Sequence, residues 1–534
     1  IDIIKKEGNE TITFLTNARM FSSIPFCEKI ISAGINSFIV KINGHNEQIH
    51  DSLTRVENSF SQTTKGIKNL LSLGAEVSAL ITITEQNFVF LPKIIKKIKE
   101  IGIKEILLTT IKANGKSKNN YEKLAIRFSD IISTLNNQIE SLDDIYLEGI
   151  PKCIRSIRKI RYSDFSLPIK EENKISGCEE CIKKHTCQGI EKDYLRLYGN
   201  YEVTPVSHPE EIAIETNYVC NLDCPLCFNQ NYVKKDKEYY MHIGKIKKII
   251  DNIPLGFVSH IRITGGEPLL RKDIFEIMEY IKEKGFKVWL NTNGTLIDEK
   301  TAAIISKYVE NVLIPLNGYD EKTEIVMTKK GMHKDKINGI RLLKKHGIPT
   351  VRCGTILTKE NISNLDKFYL LALELNLDDW EVYRPIPNEN NKEPINKKDM
   401  DKAIKKLYSL NKIHNKSFKL VNAIPFCVTD KKIASRVCVG AEADDGHIRF
   451  VIGPDGIARP SYYLNEKIGN IEKDSVKDIW NNKFMKDMRN LKFLPKECKG
   501  CEYIKTCRGG SRFCANLINN DYACTDPLTQ SYKT

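Results

Sequence analysis

The 534-residue sequence has no run of about eighteen consecutive apolar residues, the length that a helix needs to cross a bilayer. No secretory signal peptide is visible at its start. No stretch interleaves basic and aromatic side chains in the way typical of surfaces that bind nucleic acid. These absences predict a cytoplasmic protein without a membrane partner. They also argue against a nucleic-acid partner, although the net charge is +14.

Cysteine, in contrast, is plentiful. The chain has 16 cysteines, and in a large protein of a reducing compartment such a number indicates metal binding rather than disulfides. The hydrophobic content of 41% is enough to bury a large core, and the length fits roughly two to four domains. The spacing of the cysteines is therefore the main guide to function.

Three cysteines, Cys220, Cys224 and Cys227, form a C-x3-C-x2-C pattern shortly after the apolar run 212–214. The run predicts a buried strand, so the cysteines occupy the loop that follows it. Three thiolates on one loop can hold three irons of a [4Fe-4S] cluster and leave the fourth iron open, whereas electron-transfer clusters use four cysteines. The spacing also fits half of a zinc site or a redox patch.

Two further motifs follow strand-like segments. A GGEP motif at 265–268 follows the segment 261–264, and an NTNG motif at 291–294 follows another; Asn317 ends the next apolar strand. Glycines let a backbone approach a ligand closely, and the Glu267 carboxylate suits an ammonium group. Each motif alone is a common turn. In this order, and each at a strand end, the motifs favour a functional site.

Together the cysteine loop and these motifs resemble the radical S-adenosylmethionine (radical SAM) enzymes. The resemblance implies an α/β fold with a partial (β/α) barrel, and a [4Fe-4S] cluster on the catalytic residues Cys220, Cys224 and Cys227 that binds S-adenosylmethionine (SAM) through its open iron. One electron then cleaves SAM, and the 5′-deoxyadenosyl radical abstracts a substrate hydrogen. In the family the GGE motif contacts the methionyl amino group, and the position of Asn317 contacts the ribose. The implied cofactor-binding residues are Gly265, Gly266, Glu267, Pro268, Asn291, Asn293 and Asn317.

The first part of the chain repeats part of the second. Gly66 and Asn87 match Gly339 and Asn361 at offsets of 273 and 274 residues. A near-constant offset over about a hundred residues predicts two copies of one α/β unit, although a shared hydrophobic period is an alternative explanation. The first copy resembles an incomplete second radical SAM barrel that begins at the third strand and lacks the strands for the cysteine loop and the GGE motif. A truncated N-terminus is the simplest explanation, and a degenerate copy is the other.

A second group of cysteines ends the first copy. Its spacing, C-x24-C-x2-C-x5-C, supplies four thiolates, which suit a closed iron–sulfur cluster or a structural zinc ion. The group resembles the short extensions that carry an auxiliary [4Fe-4S] cluster in the radical SAM superfamily. Its members are Cys153, Cys178, Cys181 and Cys187. Cys27 lies alone in the first copy and is expected to be a buried thiol.

The C-terminal cysteines resemble the SPASM extension of peptide-modifying radical SAM enzymes. Ser461, Ser511 and Thr529 stand where that pattern has cysteines, so the resemblance implies that the first auxiliary cluster of the extension is absent. The matching positions are Cys438, Cys498, Cys501 and Cys507.

The second auxiliary cluster of the extension would use the three thiolates of the C-x2-C-x5-C segment at 498–507. Its fourth ligand would be Cys524 or Cys514, or one iron would stay open. Cys427 and Cys438 would then be spare. We expect one or two auxiliary [4Fe-4S] clusters in the chain, with zinc as the alternative.

These features divide the chain into four expected parts. They are an incomplete radical SAM-like half-barrel at 1–150, a cysteine-rich auxiliary segment and linker at 151–207, a radical SAM core at 208–425, and a SPASM-like domain at 426–534.

The expected activity is hydrogen abstraction from a peptide, a protein or a cofactor precursor, by an enzyme of oxidoreductase or maturase type. A low-potential donor such as flavodoxin or ferredoxin would supply the electron. Arg352 and Arg384, expected to end later barrel strands, would meet an anionic substrate group or form ion pairs. The alternatives are a zinc-stabilised binding or scaffold protein and a radical SAM enzyme that modifies nucleic acid, whose RNA affinity would depend steeply on salt.

Overall fold

The computed structural model describes residues 12–138, 145–154, 161–162, 174–185, 187–227, 229, 240–387, 395–414, 416–441 and 446–529. The chain divides into two compact units, Ile1–Val206 and Ser207–Thr534. Within the described ranges, no helix combines the length and apolar character that a membrane crossing requires.

The first unit is built on one sheet of six parallel strands that pair in chain order. The strands are β1 (Thr13–Thr16), β2 (Ser37–Lys41), β3 (Glu76–Ile83), β4 (Ile106–Thr110), β5 (Ile145–Glu148) and β6 (Arg161–Tyr162). The helices are α1 (Ile24–Ser32), α2 (Glu47–Thr54), α3 (Ser59–Ser72), α4 (Leu91–Ile101), α5 (Tyr121–Leu124), α6 (Phe128–Gln138) and α7 (Lys192–Tyr198). Parallel strands need crossover connections, and helices supply them here. Helix α4, for example, buries one face formed by Leu91, Ile94, Ile95 and Ile98.

The second unit is built on a ten-stranded sheet in the order β13-β12-β11-β10-β9-β8-β7-β14-β15-β16. Strands β7 to β13 are parallel, β14 pairs with β7 in parallel, and β15 and β16 continue in antiparallel pairs. The strands are β7 (Glu211–Glu215), β8 (His260–Thr264), β9 (Lys287–Asn291), β10 (Val309–Pro315), β11 (Thr350–Ile356), β12 (Asp379–Tyr383), β13 (Lys419–Leu420), β14 (Arg449–Ile452), β15 (Ile457–Arg459) and β16 (Gly469–Asn470).

Helices connect these strands and build the C-terminal region. They are α8 (Ile243–Asp251), α9 (Ile274–Glu283), α10 (Glu299–Tyr308), α11 (Glu321–Thr328), α12 (His333–Lys345), α13 (Leu365–Glu374), α14 (Lys397–His414), α15 (Lys431–Val437), α16 (Val476–Trp480), α17 (Lys483–Arg489), α18 (Ile504–Cys507) and α19 (Arg512–Asn519). Strands β7 and β8 are buried along their whole length, as expected for central strands of a sheet whose faces are covered.

The parallel arrangement positions the sequence motifs. The carboxyl ends of parallel strands lie at one edge of a sheet, and α/β proteins bind ligands there. The loops after β7, β8 and β9 carry the cysteine triad, the GGEP motif and the NTNG motif, and Asn317 follows β10. The predicted α/β class, with a partial barrel in the middle of the chain, is thereby confirmed.

The two units use asparagine side chains in the same way. Asn43 Oδ1 accepts a hydrogen bond from a backbone N–H of β3 at 3.0 Å, and Asn317 Oδ1 accepts one from β11 at 2.8 Å. Asn87 and Asn361 each accept from the backbone N–H three residues earlier at 2.8 Å. In both pairs, asparagine fixes the chain where it leaves a strand.

The two units also share a close helix contact. A Cβ added to Gly66 in α3 would lie 2.1 Å from the Ala18 carbonyl oxygen, and one added to Gly339 in α12 would lie 2.7 Å from the Gly294 carbonyl oxygen. Each helix therefore rests on the turn that follows a strand, at positions that correspond in the two copies. These matched contacts confirm the predicted repeat over its described part.

Candidate active site

The cysteine loop leaves the sheet at the end of β7. The Cys227 amide donates to the Cys224 carbonyl at 3.2 Å, and the Leu222 amide donates to Cys220 Sγ at 3.5 Å. Burial raises the pKa of all three thiols, of Cys224 to about 11 and of Cys227 to about 12. The charges of Cys220 and Cys224 raise the pKa of Cys227 further. The structure thus keeps the three predicted thiols on one loop, near enough for their charges to interact.

The GGEP motif is pressed against the start of this loop. A Cβ at Gly265, whose φ is +142°, would lie 2.2 Å from the Asn217 carbonyl oxygen, and one at Gly266 would lie 2.2 Å from the Val219 carbonyl oxygen. The amides of Gly266 and Glu267 donate to these two carbonyls at 2.7 Å. The close approach that requires glycine is therefore an approach to the protein's own backbone.

Glu267 joins the GGEP loop to the NTNG loop. Its carboxylate is fully buried and accepts hydrogen bonds from Thr292 Oγ1 at 2.6 Å, from the Asn293 amide at 2.7 Å and from the Leu269 amide at 3.0 Å. Burial raises the pKa of Glu267, and these three donors oppose the rise. Glu267 is therefore placed to hold two loops, while its contact with a ligand ammonium group stays a prediction.

The NTNG loop in turn reaches the cysteines. Asn293 Nδ2 lies 3.9 Å from Cys220 Sγ and donates to Asn221 Oδ1 at 2.7 Å. The other predicted asparagines have different partners: Asn291 Oδ1 accepts from Arg262 Nη1 at 2.9 Å, and Asn317 Oδ1 accepts from β11. Of the three asparagines, Asn293 is the one whose described hydrogen bonds include the cysteine loop.

Sequence reasoning missed a buried ion pair beside the cysteines. Lys336 Nζ lies 2.5 Å from Glu324 Oε1 and donates to the Pro315 carbonyl at 2.9 Å, with both charged side chains almost fully buried. Burial is the largest cause that raises the pKa of Cys224, and the positive charge of Lys336 partly offsets this rise. The one available signal was a lysine on the apolar face of α12, in helical register with Ile340.

Arg352 and Arg384, the two arginines expected near a substrate, differ in whether any guanidinium nitrogen lacks a hydrogen-bond partner. Arg384 directly follows β12 and is paired with Asp526 at 2.7 Å. Arg352 is the third residue of β11 and so does not end its strand as expected. Its side chain bonds Asn311 Oδ1 at 2.9 Å and is paired with Glu381. Arg352 Nη2 is buried and lacks a hydrogen-bond partner in the described part of the chain.

The remaining predicted cysteines lie in two regions. In the first unit, burial and the charges of the other three members of the group raise the pKa of Cys153 to about 12. In the second unit, burial raises the pKa of Cys438 to about 12, and Cys524 Sγ lies 3.6 Å from Asp521 Oδ2. Cys27 is fully buried, as expected. Within the described ranges, no three His, Cys, Asp or Glu side chains lie close enough to one point to bind a single metal ion.

Family models match both predicted regions. Residues 214–372 match the radical SAM superfamily, and residues 445–502 match SPASM, an iron–sulfur cluster-binding domain. The chain is 26% identical to an AdoMet-dependent heme synthase of Methanosarcina barkeri over 60% of this chain and 95% of the relative. It is 24% identical to an AdoMet-dependent heme synthase of Nitratidesulfovibrio vulgaris over 60% and 92%.

Solved structures share the fold at lower identity. Streptococcus suis SuiB bound to precursor peptide SuiA superposes with a TM-score of 0.50 at 18% identity, covering 61% of this chain and 76% of that one. The protein anSMEcpe, with bound AdoMet and Kp18Cys peptide, superposes with a TM-score of 0.50 at 20% identity, covering 60% and 94%. At this identity the likeness concerns the fold alone.

Proposed function

We propose that this chain, which carries a radical SAM domain followed by a SPASM iron–sulfur domain, cleaves SAM reductively and abstracts a hydrogen atom from an anionic cofactor precursor. One relationship carries the first half of this proposal. Glu267 and Asn293 connect the loops after β7, β8 and β9, so that the three thiols and both SAM-associated motifs form one assembly. Isolated turns or separate zinc knuckles would not require such connections.

The donor set fits a cluster with an open iron. Cys220, Cys224 and Cys227 supply three thiolates on one loop, and a four-iron cluster needs a fourth ligand that SAM would provide. Such a cluster, when it binds SAM and receives one electron, supplies a 5′-deoxyadenosyl radical for hydrogen abstraction. Asn293 would orient the cysteine loop, and Glu267 would keep the two neighbouring loops in register. The electron would come from a low-potential donor such as flavodoxin or ferredoxin.

The choice of substrate class rests on Arg352. A buried guanidinium N–H without an acceptor is unfavourable, and a substrate carboxylate would satisfy it with a charge-assisted hydrogen bond. Arg352 Nη2 is such a group in the described part of the second unit. The AdoMet-dependent heme synthases that resemble the chain are named for a product that carries carboxylates. We therefore favour a cofactor precursor over a peptide.

The first experiment is anaerobic reconstitution with iron and sulfide, followed by dithionite and SAM and by measurement of 5′-deoxyadenosine. The wild type should form 5′-deoxyadenosine, Cys224→Ala should not, and Cys27→Ala should behave as the wild type because Cys27 is buried in the other unit. Absence of product from wild-type protein that holds its iron would refute the activity.

The same preparation separates the alternatives. A zinc-stabilised scaffold would retain zinc rather than iron and would not consume SAM. An enzyme that modifies nucleic acid would bind RNA with an affinity that falls steeply as salt rises. We expect iron, SAM consumption and no salt-sensitive RNA binding.

A further inference from the structure

The two C-x2-C-x5-C segments of the chain, at 178–187 and 498–507, share three backbone hydrogen bonds among their described residues. In each loop, the second cysteine donates its amide to the carbonyl of the first at 3.2 Å. In each, the amide of the third cysteine donates to the carbonyl of the residue four positions earlier, at 2.9 Å in the first loop and 2.8 Å in the second. The amide of the first cysteine donates to the carbonyl of the residue three positions earlier, at 3.0 Å in both loops. The paired loops are Cys178, Cys181 and Cys187 in the first unit, and Cys498, Cys501 and Cys507 in the second.

A fourth cysteine accompanies each loop from an earlier part of the chain, and it stands two residues after a proline. Cys153 stands in Ile-Pro-Lys-Cys after β5, and Cys427 stands in Ile-Pro-Phe-Cys after β13. The two cysteines are 274 residues apart, the same offset that relates Asn87 to Asn361. The residue after each cysteine donates its amide to the proline carbonyl, at 3.1 Å and 3.2 Å. Cys427 therefore corresponds to Cys153 in sequence offset and in this backbone hydrogen bond, although Cys153 is buried and Cys427 is exposed.

Contacts place Cys427 beside the second loop. The amide of Phe426, its neighbour in the chain, donates to Cys507 Sγ at 3.3 Å. The Phe426 ring also packs edge-on against the ring of Tyr503, which lies in the second loop, with the ring centroids 5.9 Å apart. Cys524 Sγ instead donates to Asp521 Oδ2 at 3.6 Å.

Backbone amides also point at the sulfurs in both places. Val206 N donates to Cys181 Sγ at 3.3 Å, and Gly189 N donates to Cys187 Sγ at 3.4 Å. In the second unit Phe426 N does the same for Cys507. Hydrogen bonds of this kind favour thiolates and help to set the potential of an iron–sulfur cluster.

We propose that the chain holds two auxiliary iron–sulfur sites of one design, with Cys153, Cys178, Cys181 and Cys187 in the first unit, and Cys427, Cys498, Cys501 and Cys507 in the second. Cys427 completes the second site, whereas the sequence had left it spare and suggested Cys524 or Cys514. Four thiolates close a cluster, so each auxiliary site serves electron transfer rather than substrate binding at an open iron. This inference goes beyond the proposed reaction and does not depend on it.

The test uses the full chain with Cys220, Cys224 and Cys227 replaced by alanine, so that the SAM cluster is removed and only the auxiliary sites remain. After anaerobic reconstitution, iron and sulfide are counted per chain, and Mössbauer spectra identify the cluster type. We expect about eight irons per chain, as two four-iron clusters. Zinc in either site, or iron for fewer than two clusters, would overturn the proposal. SAM cleavage plays no part in this readout, so it fails or succeeds independently of the proposed function.

The fourth ligand is tested in the same background. Cys427→Ala should lower the iron content toward half, or convert one cluster into a three-iron species detected by electron paramagnetic resonance, while Cys524→Ala should change neither. The reverse pattern would overturn the assignment. If Cys427→Ala does not fold, Cys427→Ser keeps an oxygen ligand and should shift the reduction potential of one cluster; an unshifted potential would also overturn it.

The first unit offers an equivalent pair of variants, one at a proposed ligand and one at a control cysteine. Cys153→Ala should affect one cluster in the way that Cys427→Ala does, and Cys27→Ala should leave both clusters intact, because Cys27 Sγ donates to the Phe21 carbonyl at 3.1 Å away from the group. Loss of iron from Cys27→Ala, or none from Cys153→Ala, would remove the first site from the proposal.

Discussion

The Glu267 carboxylate accepts a 2.6 Å hydrogen bond from the Thr292 hydroxyl, and this bond connects the loop after β8 to the loop after β9. The connection turns two sequence motifs, which are ordinary turns when taken separately, into one surface at the edge of the sheet. The carboxylate has no solvent contact, so its hydrogen bonds must all come from the protein or a ligand.

Glu267→Gln should destabilise the second unit and reduce 5′-deoxyadenosine formation. Three donors approach the two carboxylate oxygens, so the amide nitrogen of glutamine would face a donor and leave it unsatisfied, at a cost of about 1–3 kcal/mol. Chemical denaturation followed by circular dichroism measures the loss. Glu276→Gln, at an exposed side chain, is the matched control. Equal stability of the two variants would contradict the linking role of Glu267.

Lys336→Met should destabilise the protein strongly. It leaves the Glu324 carboxylate buried without its ion-pair partner, and breaking a buried pair in this way costs about 3–5 kcal/mol. The double variant Lys336→Met/Glu324→Gln should lose less than the single variant, because it removes the unpaired charge. Denaturation of the single and double variants measures this coupling. The pair Lys247–Glu276, in which Lys247 is half-exposed and Glu276 exposed, provides the control, since Lys247→Met should change little.

Arg352→Lys should weaken binding of a carboxylated substrate while sparing SAM cleavage. Lysine keeps the charge but loses the planar fork, and with it the unpartnered Nη2. Heme serves as the probe, because it is the product for which the relatives are named, and its binding is followed by absorbance. We expect an affinity loss of about tenfold, or about 1.4 kcal/mol. Arg341→Lys, on the surface, should bind as the wild type does. If the wild type does not bind heme, the result would contradict a cofactor-precursor substrate and favour a peptide substrate.

Gly339→Ala should be destabilising although alanine favours helices. The added Cβ would lie 2.7 Å from the Gly294 carbonyl oxygen and 3.2 Å from Ile297 Cβ, and such overpacking costs about 1–3 kcal/mol. The gain in helix propensity is about 1 kcal/mol, so the clash should prevail. Because Gly294 belongs to the NTNG loop, SAM cleavage should fall as well. Denaturation and the 5′-deoxyadenosine assay check both effects, with the exposed neighbour changed in Asn338→Ala as control. If Gly339→Ala were more stable than the wild type, the turn at Gly294 would have shifted enough to relieve the clash, and the prediction would be wrong.

Much of the fold was predictable because it depends on local pattern. The resemblance carried by the cysteine loop and the GGEP and NTNG motifs implied the α/β fold. The near-constant offset that relates Gly66 to Gly339 indicated the repeat, and a helix meets a turn at both positions. Cys427 was also within reach of the sequence: its Ile-Pro-x-Cys context matches Cys153 at the offset of the repeat. The signal for Cys427 lies in the match between the two regions and not in the cysteine spacing within either one.

The sequence by itself determined which functional groups are available: three thiols on one loop, two C-x2-C-x5-C segments, and turn motifs at successive strand ends. These are properties of residues near one another in the chain, where spacing alone restricts geometry. Only the tertiary structure decided which distant groups meet, such as Lys336 with Glu324 and Asn293 with Cys220. Partners of this kind are chosen by helix packing and strand register, because burial makes an unpaired charge or polar group costly wherever along the chain its partner lies.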